Sequence, residues 1–151
     1  MIKNVHKWEQ AVIMLLNLDG WNLTHTGDGF EHYDAIGTSP KGTEVVIEMK
    51  FRNKYYETKM LEKAKYDKLM SLPDDTVKIY FVNDAKGNYM YWLNKLELPT
   101  LENSNCPKTT MWDRSKIKKE VYMLTEKQAS IVNWYEETTH VNVWEEHFKK
   151  K

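Results

Sequence analysis

Three residues near the middle of the chain have types and spacing suited to chemistry on a phosphate: Asp34, Glu48 and Lys50. The run Val45-Val46-Ile47-Glu48-Met49-Lys50-Phe51 is β-prone, with a carboxylate and an amine interrupting it at alternate positions. Side chains two apart on a strand share a face, so Glu48 and Lys50 project together, away from Ile47 and Met49. Asp34 lies 14 positions before Glu48, in the preceding predicted strand, across the turn formers from Gly37 to Gly42. Two carboxylates on neighbouring strands make a hard oxygen site of the kind Mg²⁺ takes, with waters and a substrate phosphate completing its shell. A lysine beside them orients a water and stabilises negative charge building on the phosphate. Phosphodiester hydrolysis is the chemistry this suggests. An acid-x-Lys tripeptide occurs three times, at Glu48-Met49-Lys50, Glu57-Thr58-Lys59 and Asp84-Ala85-Lys86. Only the first lies in a buried-type strand with an acid on the strand before it; the other reading of Glu48 and Lys50 is a surface cross-strand ion pair.

The elements that must position these residues follow from periodicity. Trp8, Ala11, Val12, Leu15 and Leu16 form a helical apolar stripe, and Gly20 stands where a C-terminal cap belongs, predicting a helix over residues 4–18. Three strand-like runs follow, Trp21 to Thr26, Phe30 to Ile36 and Glu44 to Arg52, split by turn formers. Leu61, Ala64, Leu69 and Leu72 predict a second helix from Glu57 to Leu72, stopped by Pro73. Val77 to Val82 reads as a buried strand, and a turn over Asp84 to Asn88 leads to another at Tyr89 to Leu93. A loop is expected from Lys95 to Arg114 and a strand from Lys118 to Met123. Thr125-Glu126-Lys127-Gln128 has the form of a capping box and predicts a last helix through Trp134 and Tyr135. The order suggests one α/β domain over residues 1–151, with a core over 5–93 and a C-terminal helical extension over 95–151.

Composition excludes several classes. The 151 residues carry 22 Lys+Arg and 22 Asp+Glu, so net charge names no partner. No apolar run exceeds the six residues Ala11 to Leu16, far short of the roughly 20 that cross a membrane, so a soluble, cytoplasmic protein is expected. The single cysteine, Cys106, excludes internal disulfides and thiolate metal sites. The five histidines show no metalloprotease spacing; His32 shares strand parity with Asp34, which allows a place beside it, but an exposed or packed side chain is the favoured reading. There is no phosphate-binding glycine loop and no dinucleotide fingerprint. From Lys50 to Lys68 seven basic residues face three acidic ones. Within that stretch Arg52, Asn53, Lys54, Tyr55 and Tyr56 interleave basic and aromatic groups suited to phosphate contact and base stacking.

Asp34, thirteen residues, then Glu48-Met49-Lys50, set on strands two and three of an α-β-β-β-α-β order, resembles the PD-(D/E)XK nuclease superfamily over residues 5–83. The proline that commonly precedes the first acid is replaced by Tyr33. The resemblance implies a restriction-endonuclease-like core, a mixed sheet flanked by helices, and a Mg²⁺-dependent endonuclease, with Mn²⁺ able to substitute. Asp34, Glu48 and the backbone carbonyl of Met49 would then be metal ligands and Lys50 the lysine that positions the attacking water. Glu9 would be the glutamate many members carry on the first helix. Lys59, Lys63 and Lys65 are the candidates for the basic group such members place on the helix after the motif strand, and join Arg52, Asn53 and Lys54 as expected nucleic-acid contacts. DNA is the implied partner, and a homodimer is expected because so small a module offers little contact area. Heavy lysine use, 20 Lys to two Arg, suits an AT-rich phage or bacterial source. The alternative is a catalytically inactive nucleic-acid-binding or inhibitor protein on the same fold.

Overall fold

The computed structural model describes residues 2–27, 29–107 and 116–134. A first helix, α1 (Ile2–Leu18), is followed by β1 (Asn22–His25), β2 (Ala35–Thr38), β3 (Glu44–Phe51), β4 (Lys59–Glu62), α2 (Lys63–Met70), β5 (Val77–Asp84) and β6 (Gly87–Trp92). A 3-10 turn at Leu93–Lys95 leads to β7 (Glu102–Pro107), β8 (Lys116–Leu124), a 3-10 turn at Glu126–Gln128 and β9 (Ser130–Val132). The main sheet has the order β1-β2-β3-β5-β6-β9, with β3 and β5 parallel and its other pairs antiparallel. A second, antiparallel sheet has the order β4-β8-β7.

Strand alternation divides the core in two. Val45, Ile47 and Met49 of β3, with Ile79 and Phe81 of β5, pack against Val12, Ile13 and Leu16 of α1. Val46 of β3, with Tyr80 and Val82 of β5, packs on the other side against Leu61, Leu69, Tyr122 and Leu124 from β4, α2 and β8. The main sheet is thus covered on both faces, as its run of buried β3 and β5 residues requires.

The end of α1 shows why the chain turns into the sheet where it does. Gly20 takes φ +99°, a left-handed conformation that L side chains resist. Trp21 N–H donates to Leu16 O and Gly20 N–H to Asn17 O, the paired bonds of a Schellman cap. The Asn17 side chain then donates to Leu23 O and accepts from Leu23 N–H, fastening β1 to the helix end.

Several expectations are corrected. The buried stripe of α1 is Glu9, Val12, Ile13 and Leu16; Trp8 and Leu15 stay 46% and 37% exposed, because the sheet meets the helix one position further round. The predicted helix from Glu57 to Leu72 is instead β4 followed by the shorter α2. Lys59 and Leu61 are buried while Met60 and Glu62 are half-buried, a period-two pattern that pairs with β8 in the register Leu61↔Tyr122. The loop predicted from Lys95 contains β7. Thr125 N–H does donate to Gln128 Oε1 at 3.3 Å, but the turn it caps runs only to Gln128 before β9 begins. The helical extension expected past Trp134 lies outside the described residues.

Candidate active site

β2 and β3 pair in the register Ala35↔Ile47, which sets Asp34, one residue before β2, opposite Glu48. At this point β2 ends while β3 continues. Met49 N–H, left without a strand acceptor, donates to Asp34 Oδ2 at 2.8 Å, and Asp34 N–H donates to Ile47 O at 2.8 Å. The aspartate is therefore held by the same backbone divergence that opens the sheet. The opening lies at the carboxyl ends of the parallel strands β3 and β5, the position at which α/β sheets hold ligands.

Five more side chains converge there. Glu9 is 4% exposed, on the buried face of α1. Its Oε1 lies 2.8 Å from Nε2 of His25, the last residue of β1, and 3.4 Å from Nδ1 of His6. Gly27 closes the group: a Cβ there would collide with Glu9 Oε1, meet His25 Nε2 at 2.8 Å and Asp34 Oδ1 at 3.0 Å. From the other face Lys65 of α2 places its Nζ 3.2 Å from Glu48 Oε1 and 3.9 Å from Glu62 Oε2. Lys50 sits two residues along β3 from Glu48, on the same face.

The electrostatics are those of crowded carboxylates. Burial pushes Asp34 up to about 6; Glu9 adds to the rise, while the Met49 N–H, Lys65 and His25 oppose it. Burial likewise raises Glu48 to about 7, with Asp34 and Glu9 adding to it and Lys65 opposing. Burial lowers the Lys50 ammonium, helped by Lys65 and Arg52. Burial also works against the Lys65 charge, but Glu48 and Glu62 outweigh it and hold its pKa above the ordinary value. A buried excess of negative charge with only part of its countercharge supplied is an environment that a divalent cation relieves.

The expected site residues therefore separate. Glu9, Asp34, Glu48 and Lys50 come together, with the Met49 backbone fixed beside them. Of the three candidate lysines only Lys65 reaches the carboxylates. Lys63 pairs with Asp67 along α2 at 2.5 Å. Lys59 is 2% exposed, its ammonium 2.6 Å from Asp84 and 3.2 Å from Glu126, bonded to Tyr56 O and set over the rings of Tyr55 and Tyr89. That expectation of a nucleic-acid contact is corrected: a lysine so enclosed meets no phosphate. Asn53 and Lys54 are exposed, and Arg52 lies 5.3 Å over the Tyr56 ring. His32 is exposed, in line with the reading favoured for it, and the histidines beside Glu9 are His6 and His25. His6 and Glu9 are three apart, one face of a helix, which is the signal that marks them in the sequence.

A mixed sheet covered by helix on one face and helix plus small sheet on the other, with paired acids at the carboxyl ends of its parallel strands, defines a restriction-endonuclease-like α/β fold. No family model and no curated protein matches the sequence. Among solved structures the chain is similar to Archaeoglobus fulgidus Hjc, a Holliday junction resolvase from an archaeal hyperthermophile, with a TM-score of 0.55 at 12% identity, over 83% of this chain and 89% of that one. The likeness is one of fold. No described helix is long and apolar enough to cross a membrane.

Proposed function

We propose that the protein is a divalent-metal-dependent endonuclease that hydrolyses phosphodiester bonds of DNA. The observation that carries the reading is the pairing of Asp34 with Glu48 across the opened strands, both carboxyls raised, beside Lys50 and Lys65. The donor set, two or three carboxylates and the Met49 carbonyl, is all oxygen and suits Mg²⁺, with Mn²⁺ able to replace it. Asp34, Glu48 and the Met49 carbonyl would hold such an ion, and the chemistry it would supply is Lewis-acid stabilisation of the phosphoryl charge and activation of water.

The chain's own groups do the rest. Asp34 keeps Oδ2 on Met49 N–H, which leaves Oδ1 turned toward Gly27 and Glu9. Lys50, whose charged form burial disfavours, holds the attacking water, and as the neutral amine it accepts that water's proton. Lys65, which stays charged, neutralises Glu48 and then the phosphate as substrate enters. Arg52, Asn53 and Lys54, at the end of β3, extend the positive rim along which a strand's backbone lies. Phe30, wholly exposed in the connection between β1 and β2 that ends at Asp34, is placed to stack on an unpaired base. A branched or distorted substrate, cut by a homodimer in the cytoplasm, fits a module with this little contact area.

The test is to incubate purified protein with supercoiled plasmid and with a four-way junction in Mg²⁺ or Mn²⁺, alongside Glu48→Ala, Lys50→Ala and an EDTA control. Cutting by the wild type alone is expected. Salt-sensitive DNA binding without cutting would favour the inactive binding protein; neither cutting nor binding would overturn both.

A further inference from the structure

The histidines beside Glu9 have no part in the hydrolytic scheme, yet their geometry is specific. His6 Nδ1, Glu9 Oε1 and His25 Nε2 all lie within 4.8 Å of one another, with Glu9 Oε1 2.8 Å from one nitrogen and 3.4 Å from the other. Ligand atoms of a tetrahedral ion with bonds of about 2.0–2.1 Å stand roughly 3.3 Å apart, so small side-chain rotations bring the three to a common centre. The His6 and His25 rings meet edge to face, with centroids 5.6 Å apart. His6 Nδ1 is buried and makes no hydrogen bond among the described residues. A buried ring nitrogen without a hydrogen bond is costly, and it is a donor atom waiting for an acceptor. Gly27 keeps the neighbouring space free of a Cβ that would strike Glu9 and His25.

We propose that His6, Glu9 and His25 form a site for a transition-metal ion of the Zn²⁺ class, distinct in ligand chemistry from the all-oxygen set at Asp34 and Glu48. Two imidazoles and one carboxylate favour Zn²⁺, Co²⁺ or Ni²⁺ over Mg²⁺, which prefers oxygen and gives up water reluctantly. Three protein ligands leave a fourth position open to water, as in zinc sites of this composition. Glu9 lies between the two sets, close enough to Asp34 and Glu48 to raise both. An ion on the histidines consequently fixes the carboxylate that the hard-metal site also uses. The site does not depend on the nuclease reading.

The test is calorimetric titration of tag-free, EDTA-stripped protein with Zn²⁺ in the presence of excess Mg²⁺, together with the visible absorption of bound Co²⁺. One Zn²⁺ per chain is expected, with a Co²⁺ spectrum of nitrogen and oxygen ligation. His6→Ala and His25→Ala are each expected to weaken binding by at least roughly tenfold, since even outer-shell partners of metal ligands cost that much. Glu48→Gln should weaken it less than either. His25 anchors Glu9, so its loss could disturb folding; His6 has no hydrogen bond to lose, and His6→Ala keeps the test decisive, with circular dichroism as the check. No stoichiometric Zn²⁺ binding, or binding unchanged in His6→Ala, overturns the inference. A protein that binds Zn²⁺ through His6 and cuts no DNA sinks the nuclease reading alone, and one that cuts in Mg²⁺ but binds no Zn²⁺ sinks this one alone.

Discussion

Replacing Glu48 by glutamine should stabilise the metal-free protein at pH 8 and leave it unchanged near pH 4. The carboxyl titrates at an ordinary 4.5 in the unfolded chain and about 7 in the fold. Between those values the native state holds a proton that the unfolded state has released, so stability falls as pH rises. Above about 7 the penalty is complete, and below 4 both states are protonated and it vanishes. At 1.36 kcal/mol per pKa unit the shift sets a ceiling of about 3 kcal/mol, and water entering the opening brings the expected gain to about 2 kcal/mol. For a chain of this size that is a rise of about 4–8 °C in Tm. Glutamine keeps the shape and still offers an oxygen to Lys65, which retains Glu62 as a partner at 3.9 Å. The assay is a thermal melt followed by tryptophan fluorescence, in EDTA, at several pH values from 4.5 to 8, for wild type and variant. A variant less stable than wild type at pH 8, or a difference in Tm that does not grow with pH, would refute the argument that burial beside Asp34 and Glu9 raises Glu48.

Other expectations test separate parts of the structure. Excess Mg²⁺ should raise the wild-type Tm more at pH 8 than at pH 5, with about 2.7 kcal/mol available at a hundredfold excess over Kd, and should do little for Glu48→Gln. Gly27→Ala should displace Glu9, His25 or Asp34 and reduce cleavage by roughly 10²-fold, the scale of an ångström-level misplacement, while circular dichroism remains native. Lys59→Met should destabilise the fold by about 3–5 kcal/mol in urea unfolding by stranding buried Asp84, and adding Asp84→Asn should recover part of the loss. Phe30→Ala should leave Tm unchanged but weaken binding to single-stranded or junction DNA by about 1–3 kcal/mol in a fluorescence titration.

The face on which Glu48 and Lys50 lie was legible because a strand's period of two leaves no choice once Ile47 and Met49 are inside. The helix end at Gly20 was legible for a similar local reason, since only the cap bonds and a positive φ are involved. The fold class followed from the order of elements. Where local pattern was ambiguous it misled. Residues 57–62 carry apolar spacing compatible with a helix turn, and the available edge of β8 decided for β4. The face of α1 was misjudged by one position because Trp8 and Leu15 are apolar yet left at the rim, while a glutamate took the buried place.

Sequence by itself determined which residues could share the chemistry: the acids, the motif lysine and their strand faces, all properties of local period and residue type. Tertiary structure alone decided which of them meet. Lys59, Lys63 and Lys65 are chemically identical, and their neighbours 25, 4 and 17 positions away make one a buried anchor, one a surface partner and one a site cation. His25 joins Glu9 across 16 residues because β1 ends beside α1. The raised Asp34 and Glu48 likewise arise only when burial and long-range contacts act together, since desolvation belongs to the packed interior and not to any segment of the chain.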